Sequence, residues 1–310
     1  PHRLRIRLSR GPVELQIGSN HLPSLGSRLR QMNLGTHPVI LTNPTIWRAQ
    51  GTRLQRCLVR SGWKPQRLTV PDSERSKSLA VLNRLLSSLA KLDGPGRRLF
   101  LILAGGGVVG DLGGVAAGLY RRGIPYVQLP TTLLAQADSS IGGKTAVDLP
   151  QGKNLVGLIV QPKLIFMELS LLKSLSDRQF RSGLAEVAKC GVIRDPALFR
   201  VLEQKSVSQL RQQEGQLAWV LYRAVQVKAR VVEQDEFETK GIRTILNFGH
   251  TLGHALETAS DYRRNYTHGE AVAVGMGVAT EISRRLKLIS SADSDRIRSL
   301  MLHLELPTTI

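Results

Sequence analysis

The chain has 310 residues, 42% hydrophobic and 22% charged, which predicts one large or two ordinary globular domains and excludes a disordered protein. We expect a soluble cytoplasmic protein: no segment has the roughly 20 apolar residues that span a bilayer, the opening stretch lacks a signal-peptide core, and Cys57 and Cys190 form no disulfide framework. The net charge is +19, and residues 1–70 contain twelve basic residues against the single acid Glu14. Such a charge attracts anionic partners. Because only 5% of the residues are aromatic and could stack on bases, an anionic substrate or a basic proteome is favoured over specific nucleic-acid binding.

Strand-like and helix-like segments alternate along the first half of the chain. The opening stretch alternates charged and apolar residues like a strand. Further apolar, strand-like segments occupy residues 37–46, 65–70, 97–105 and 125–132. Between them, segments with helical spacing occupy residues 52–62, closed by Gly62, and residues 77–94. This alternation predicts a parallel sheet covered by helices, a Rossmann-like α/β domain.

The pattern changes to nearly continuous helix after LIFMELSLLKSL, residues 164–175. Helical periodicity runs through residues 177–193, 196–213, 217–236 and 270–288. We therefore predict two domains with a boundary near residue 165: an α/β domain over residues 1–165 and a mostly α-helical domain over residues 166–310.

A glycine-rich segment, AGGGVVGDLGGVAAG, follows the strand LFLIL and opens a helix. Glycines allow a ligand to approach the backbone, and a helix N-terminus presents free N–H groups to a phosphate. The segment is only weak evidence for nucleotide binding, because Gly113, Gly114 and Gly118 also suit tight packing of a helix on a strand.

Residues 120–154 are too polar and too rich in glycine turns to form a core. Lysines beside Gly-Gly or before Asn are typical of loops that hold anionic oxygens, so this segment favours a phosphorylated or carboxylated ligand. Its candidate residues are Arg122, Thr131, Thr132, Asp138, Lys144, Lys153 and Asn154.

Four residues are candidate metal ligands: Glu186, His250, His254 and His268. Three of the seven histidines fall within nineteen residues, and Glu186 lies in a small, apolar helical segment where its carboxylate must be paired or coordinating. Two imidazoles and one carboxylate suit Zn²⁺ or Co²⁺ acting as a Lewis acid. His250 and His254 are four residues apart, so helical geometry allows either one or both to bind.

Six motifs together resemble the 3-dehydroquinate synthase family. They stand in the family's order from about residue 70 to residue 285, and they are GGGVVGD, QLPTTLLAQADSSIGGKTAVD, GKNLVG, GLAEVAK, LNFGHTLGHALE and HGEAVAVGM. The resemblance implies conversion of 3-deoxy-D-arabino-heptulosonate 7-phosphate to 3-dehydroquinate and phosphate, a step of the shikimate pathway. It also implies NAD⁺, which ends the reaction as it began, a divalent metal and a homodimer.

The resemblance also assigns roles to residues. It gives the metal to Glu186, His250 and His268 and makes His254 a neighbouring polar residue. It implies that NAD is bound by Asp72, Ser73, Glu74, Arg75, Ser76, Lys77, Ser78, Gly107, Val108, Val109, Gly110, Asp111, Thr131, Thr132, Lys144, Lys153, Leu171, Leu172, Lys173 and Ser174. It implies that substrate is held by Asp138, Lys144, Lys153, Asn154, Lys189, Lys228, Arg243, Asn247 and His254, with Arg122 reaching the phosphate pocket of the partner subunit. For Lys228, exposure on a helix surface remains an alternative.

The chain departs from the family pattern at two places. Ser73 stands where the family commonly carries glycine. The sequence also stops at LPTTI, where the family continues for some tens of residues and brings a further substrate-binding lysine, so we expect reduced or absent activity from residues 1–310 alone.

Two enzymatic alternatives remain open. One is another sugar phosphate cyclase, acting on sedoheptulose 7-phosphate or glucose 6-phosphate, although Arg243, Lys228 and Lys144 favour a carboxylated substrate. The other is a metal- and NAD-dependent alcohol dehydrogenase of the same architecture.

Overall fold

The computed structural model describes residues 1–259 and 266–309 and divides the chain into two compact units, Pro1–Ser174 and Leu175–Ile310. The division falls after Ser174 rather than near residue 165. The reason is that the segment Leu164–Glu168 forms a strand in the middle of the sheet of the first unit, so the chain cannot leave that unit before this strand is complete.

The first unit is built on a seven-stranded, mostly parallel sheet, as the alternating pattern predicts. The strands of the chain are β1 His2–Ile6, β2 Val13–Gly18, β3 His37–Thr42, β4 Gln66–Thr69, β5 Leu99–Gly105, β6 Tyr126–Pro130, β7 Lys144–Leu149, β8 Gly152–Ile159 and β9 Leu164–Glu168. The sheet order is β1-β2-β9-β6-β5-β3-β4, and only β1 runs antiparallel to its neighbour. Strands β7 and β8 form a separate antiparallel hairpin.

Strand β5 is buried along its whole length because helices cover both faces of the sheet. Its alternate residues enter two different cores. Leu101 and Leu103 pack in one hydrophobic cluster, whereas Phe100 and Ile102 pack in the other. Each such side chain contributes about 1.5–3 kcal/mol when it is fully buried, so this strand is a main source of the first unit's stability.

Helices occur in both units, and the second unit contains the longest ones. Those of the first unit are α1 Leu25–Met32, α2 Pro44–Ile46, α3 Thr52–Arg60, α4 Leu79–Leu92 and α5 Gly107–Leu119. Those of the second unit are α6 Asp177–Arg194, α7 Pro196–Gln204, α8 Val207–Gln212, α9 Glu214–Gln234, α10 His250–Ala259, α11 His268–Arg285 and α12 Ser291–His303. No named strand falls in the described part of the second unit, which confirms the predicted helical character. None of the helices in residues 1–259 and 266–309 is both long and apolar enough to cross a membrane.

One predicted helix is wrong in extent. Residues 196–213 form two helices, α7 and α8, because Ser206 starts a new one. Its side chain accepts a hydrogen bond from the Gln209 backbone, and the Gln209 side chain accepts one from the Ser206 backbone. This reciprocal capping box fixes a helix start inside a continuous helical pattern.

Glycines of α5 allow this helix to pack closely on β5 and the hairpin. A Cβ atom at Gly113 would lie 2.4 Å from Leu103 Cδ2, and one at Gly114 would lie 2.2 Å from Thr145 Cγ2. Both distances are far below van der Waals contact. The glycine-rich segment therefore serves helix packing at these positions.

A buried carboxylate, Glu168, fixes the end of β9. Its oxygens accept hydrogen bonds from the backbone N–H groups of Asn20, Leu22 and Ser170 at 2.8, 2.7 and 3.1 Å, and from the Ser170 hydroxyl at 2.6 Å. Burial raises the pKa of Glu168, but these hydrogen bonds outweigh it and hold the pKa below its ordinary value of 4.5. The carboxylate thereby joins the loop after β2 to the segment after β9.

Replacing Glu168 by glutamine should lower the free energy of unfolding by about 2–4 kcal/mol at pH 7, because hydrogen bonds to a charged group each contribute about 1.5–3 kcal/mol. A carboxylate whose folded pKa is depressed contributes its full stability above the unfolded pKa, near 4.5, and loses it as the pH falls through the folded pKa. The difference between the parent chain and E168Q should therefore shrink at acid pH, as measured by urea unfolding at pH 7 and below pH 4.5.

The matched control for this measurement is E14Q, which makes the same chemical change at a part-exposed surface ion pair with Arg28. It should cost less than about 1 kcal/mol. A difference between parent and E168Q that is the same at both pH values would contradict the ionised, hydrogen-bonded state of Glu168.

Candidate metal centre and cofactor-binding segments

Three helices of the second unit bring Glu186, His250 and His268 together. Glu186 lies in the middle of α6, His250 is the first residue of α10, and His268 is the first residue of α11. The Nε2 atoms of His250 and His268 lie 3.6 and 3.4 Å from Glu186 Oε1. One potential ligand atom from each residue lies within 4.8 Å of the other two, so the three form a compact donor set.

Close contact between α6 and α11 places His268 beside Glu186. A Cβ atom at Gly269 would lie 1.9 Å from the carbonyl oxygen of Ser182, so only glycine fits at this position. The Gly269 N–H donates a hydrogen bond of 3.1 Å to the Ser182 hydroxyl. Because Ser182 lies one helical turn before Glu186, the contact sets His268 at the level of the carboxylate.

A second backbone contact places His250. Gly249 has a φ of +80°, and a Cβ atom at Gly275 of α11 would lie 1.9 Å from the Gly249 carbonyl oxygen. The start of α10 therefore lies directly against α11. His250 Nδ1 is 3.2 Å from the carbonyl oxygen of Phe248, an acceptor that places the N–H on Nδ1 and leaves Nε2 for the Glu186 side.

The start of α11 is held by polar contacts as well. Thr267 and Glu270 form a reciprocal capping box, and Glu270 also accepts two hydrogen bonds of 2.7 Å from the Arg178 guanidinium of α6. Such bidentate pairs have a fixed geometry, so they fix the start of α11 relative to α6.

Charge is concentrated and buried at this centre. The side chains of Glu186 and Lys189 are only 1% and 2% exposed, and they form an ion pair with each other. Burial raises the pKa of Glu186, but Lys189 and the two imidazoles outweigh it and hold the pKa well below its usual range. Burial lowers the pKa of His268, yet the carboxylates of Glu186 and Glu257 raise it to about 10.

The donor set fits a zinc-like ion. Ligand atoms about 2.0–2.2 Å from zinc lie about 3.3–3.6 Å from one another in a tetrahedral site, and the two imidazole nitrogens lie 3.6 and 3.4 Å from Glu186 Oε1. Lys189 pairs with Glu186 Oε2, and Oε1 is the oxygen that faces the two imidazole nitrogens. A buried carboxylate in this state is stabilised by a cation, and three protein donors leave a position open for substrate.

His254 lies beside this donor set and is exposed. Its ring centroid is 5.3 Å from that of His250 and 6.1 Å from that of His268. A second group of potential ligands, His254, Glu257 and His268, shares the His268 ring with the first. Glu257 is not among the residues predicted from the sequence, although its position three residues after His254 and seven after His250 places it on the same helical face.

The other predicted substrate residues of the second unit differ in burial. Lys228 is 7% exposed, so the alternative of a surface lysine is wrong. Arg243 is also buried and donates a hydrogen bond of 2.9 Å to the carbonyl oxygen of Glu236, whereas Asn247 is exposed.

In the first unit, Lys77 connects three of the segments predicted to bind NAD or substrate. Its buried ammonium lies 2.7 Å from Asp111 Oδ2 of α5 and donates a hydrogen bond of 2.5 Å to Asn154 Oδ1 of β8. Glu74 lies 3.7 Å from Lys77 Nζ and 3.8 Å from Lys153 Nζ. Burial raises the pKa of Asp111 to about 6 against the opposing charge of Lys77.

The remaining predicted cofactor residues follow the strands of the sheet or start α5. Ser73, the departure from the family pattern, has an extended backbone that any residue adopts, and its hydroxyl accepts a hydrogen bond from the Arg75 N–H. Asn43, which the sequence analysis did not single out, donates a hydrogen bond of 2.8 Å to Asp72. Thr131 and Thr132 follow β6, the glycine segment 107–111 starts α5, and residues 171–174 end a 3₁₀ turn after β9.

The predicted loop character of the lysine-rich segment is wrong. Lys144 is the first residue of β7, and Lys153 and Asn154 lie on β8, so the hairpin presents all three. Asn154 has a left-handed φ of +56°, and its N–H donates a hydrogen bond of 2.8 Å to Asp148 Oδ1. Of the other candidates, exposed Arg122 follows α5 with a φ of +63°, and part-buried Asp138 lies in a helical turn, residues 135–139.

Both units of the chain match proteins of one known family. Models of the 3-dehydroquinate synthase N-terminal and C-terminal domains match residues 67–182 and 183–310. A 3-dehydroquinate synthase of Geobacter sp. (strain M21) is 41% identical over 307 residues, covering 98% of this chain and 83% of that protein.

Solved structures of related synthases share the whole fold. A 2-deoxy-scyllo-inosose synthase complexed with carbaglucose-6-phosphate, NAD⁺ and Co²⁺ is 27% identical, with a TM-score of 0.88 and coverage of 98% of this chain and 81% of that one. The 2-epi-5-epi-valiolone synthase ValA of Streptomyces hygroscopicus subsp. jinggangensis 5008, with NAD⁺ and Zn²⁺ bound, is also 27% identical, with a TM-score of 0.85 and coverage of 96% and 82%. With both domain models matched in order and 41% identity over nearly all of its length, the chain belongs to the 3-dehydroquinate synthase family.

Proposed function

We propose that this chain converts 3-deoxy-D-arabino-heptulosonate 7-phosphate to 3-dehydroquinate and inorganic phosphate, using NAD⁺ and a divalent cation. The observation that carries the proposal is the buried donor set of Glu186, His250 and His268 in a chain of this family. The reaction class is that of a carbon–oxygen lyase, because the leaving phosphate departs by cleavage of a C–O bond.

Glu186, His250 and His268 would hold the cation, with Zn²⁺ or Co²⁺ as the candidates that the related structures contain. When bound, such an ion supplies Lewis acidity to a substrate oxygen. The protein's own contribution is to keep the site in a fixed arrangement: the glycine contacts and the Arg178–Glu270 pair hold the helices, and the Phe248 carbonyl orients His250.

NAD⁺ would be bound by the first unit through the segments 72–78, 107–111, 131–132 and 171–174, together with Lys144 and Lys153. Its nicotinamide supplies the hydride acceptor and donor. The start of α5 offers backbone N–H groups to a diphosphate, and Lys77 holds the loop 72–78 against α5 and the hairpin. The binding segments are therefore joined before the cofactor arrives, which lowers the ordering cost of binding.

The cationic side chains suit a substrate with one carboxylate and one phosphate. Lys189, Lys228 and Arg243 are buried and positively charged, and Lys144 and Lys153 lie on the hairpin. Ammonium and guanidinium groups recognise such anionic oxygens, the guanidinium often by paired hydrogen bonds. Exposed Arg122, which follows α5, is proposed to reach the phosphate pocket of a partner subunit in a homodimer. A cytoplasmic location stays a prediction.

The metal assignment predicts different behaviour for the two histidines of the pair. His250→Ala should weaken Zn²⁺ binding by more than about 100-fold, because loss of even an outer-shell partner of a ligand costs about 10–100-fold. His254→Ala is the matched control and should change the affinity by less than about 10-fold. Competition titration with a chelating dye measures both. An equal loss in the two variants would mean that both histidines bind the metal.

The substrate assignment predicts an order of preference. Phosphate release should be fastest with the heptulosonate 7-phosphate and slower with sedoheptulose 7-phosphate or glucose 6-phosphate, because only the first carries the carboxylate that the buried cations recognise. NADH absorbance should show no net rise during turnover. Faster release from either of the other sugars, or steady NADH accumulation with a simple polyol, would contradict the proposal.

A further inference from the structure

We propose that Glu257 is a positioning residue for the metal centre: its carboxylate accepts the Nδ1–H of His268 and thereby turns the Nε2 atom of that ring toward Glu186. The inference rests on the proposed metal site and adds a residue to it.

The geometry places the His268 ring between two carboxylates. Nδ1 lies 3.4 Å from Glu257 Oε2 of α10, and Nε2 lies 3.4 Å from Glu186 Oε1 of α6. When a cation is bound, the ring is a neutral imidazole with one N–H donor and one lone pair, so it serves one carboxylate as a donor while the other nitrogen binds the cation. Two assignments are possible: either Nδ1 donates to Glu257 and Nε2 binds the cation, or Nε2 donates to Glu186 and Nδ1 binds it.

Burial decides between the two assignments. The Glu186 side chain is 1% exposed and that of Glu257 is 14% exposed, while His254, the third member of the alternative donor set, is exposed. A carboxylate removed from water needs a cation more than one that water still reaches. The cation therefore belongs on the Nε2 side with Glu186 and His250, and the N–H belongs on the Nδ1 side with Glu257.

The position of Glu257 in α10 strengthens the assignment. His250 begins this helix, and Glu257 lies seven residues later on the same face. One helix thus supplies one metal ligand directly and orients a second ligand from α11. Carboxylates that accept the second N–H of a ligating histidine commonly fix its ring and raise its basicity, and their loss costs about 10–100-fold in metal affinity.

Four variants test the proposal by metal affinity and by the visible absorption spectrum of the Co²⁺-loaded chain. Glu257→Ala should weaken Co²⁺ and Zn²⁺ binding by about 10–100-fold and change the Co²⁺ spectrum, while the stoichiometry stays at one ion. Glu257→Gln should recover most of the affinity, because its amide oxygen still accepts the Nδ1–H. His268→Ala, which removes the ligand, should lose more than Glu257→Ala.

Glu281→Gln is the matched control, since it alters a glutamate on the same helix as His268 that forms ion pairs with Arg284 and Arg285. It should leave affinity and spectrum unchanged. Far-ultraviolet circular dichroism and thermal unfolding of each variant separate a local change from a folding defect.

The outcomes distinguish two failures. If the parent chain binds no metal, or His268→Ala binds it as tightly as the parent, the proposed metal site is wrong. If His268→Ala loses the metal but Glu257→Ala keeps the parent affinity and spectrum, the site stands and the positioning role is wrong. If Glu257→Gln is as weak as Glu257→Ala, or the parent binds two ions, Glu257 is a direct ligand and the inference is overturned.

Discussion

The second unit is organised around a carboxylate that is almost completely removed from water. Glu186 lies in the middle of α6, where Ala185, Val187 and Ala188 beside it are small and apolar, so its charge must be balanced by nearby cationic groups. Lys189 provides a counter-charge from the same helix, and the imidazoles of His250 and His268 approach from two other helices. The proposed cation would complete this balance.

Glycine contacts make this arrangement possible. The backbones of α6, α10 and α11 approach so closely at Gly249, Gly269 and Gly275 that a single Cβ atom would collide with a carbonyl oxygen or a neighbouring side chain. These glycines lie within the motifs NFGH and HGEAVAVGM, beside the histidines that they place. The motifs therefore combine ligands with the packing positions that bring the ligands together.

Much of this could be predicted from sequence, and the exceptions have physical causes. Apolar periodicity identified the buried strands β3, β5 and β6 and the long helices α4, α6, α9 and α11, because burial of a face determines the spacing of apolar residues. It identified neither the buried strand β9 nor helix α12. It did not identify the hairpin, since β8 is largely exposed and β7 packs against α5, a contact between segments that are distant in sequence. The unit boundary lies later than predicted because β9 inserts between β2 and β6, which is a property of topology rather than of local composition. Glu257 could not be predicted because its contact with His268 joins two helices, α10 and α11, and the residue spacing within one helix does not show which residues of another helix lie beside it.

The participation of α10 in the centre has a mechanical consequence. Since this helix contains His250 at its first position and Glu257 two turns later, a rigid displacement of α10 would change the His250–Glu186 and Glu257–His268 contacts at the same time. The packing contact between Gly249 and Gly275 of α11 therefore determines the position of both side chains. A distant change in packing that shifts α10 would therefore move the proposed metal centre without any substitution in its residues.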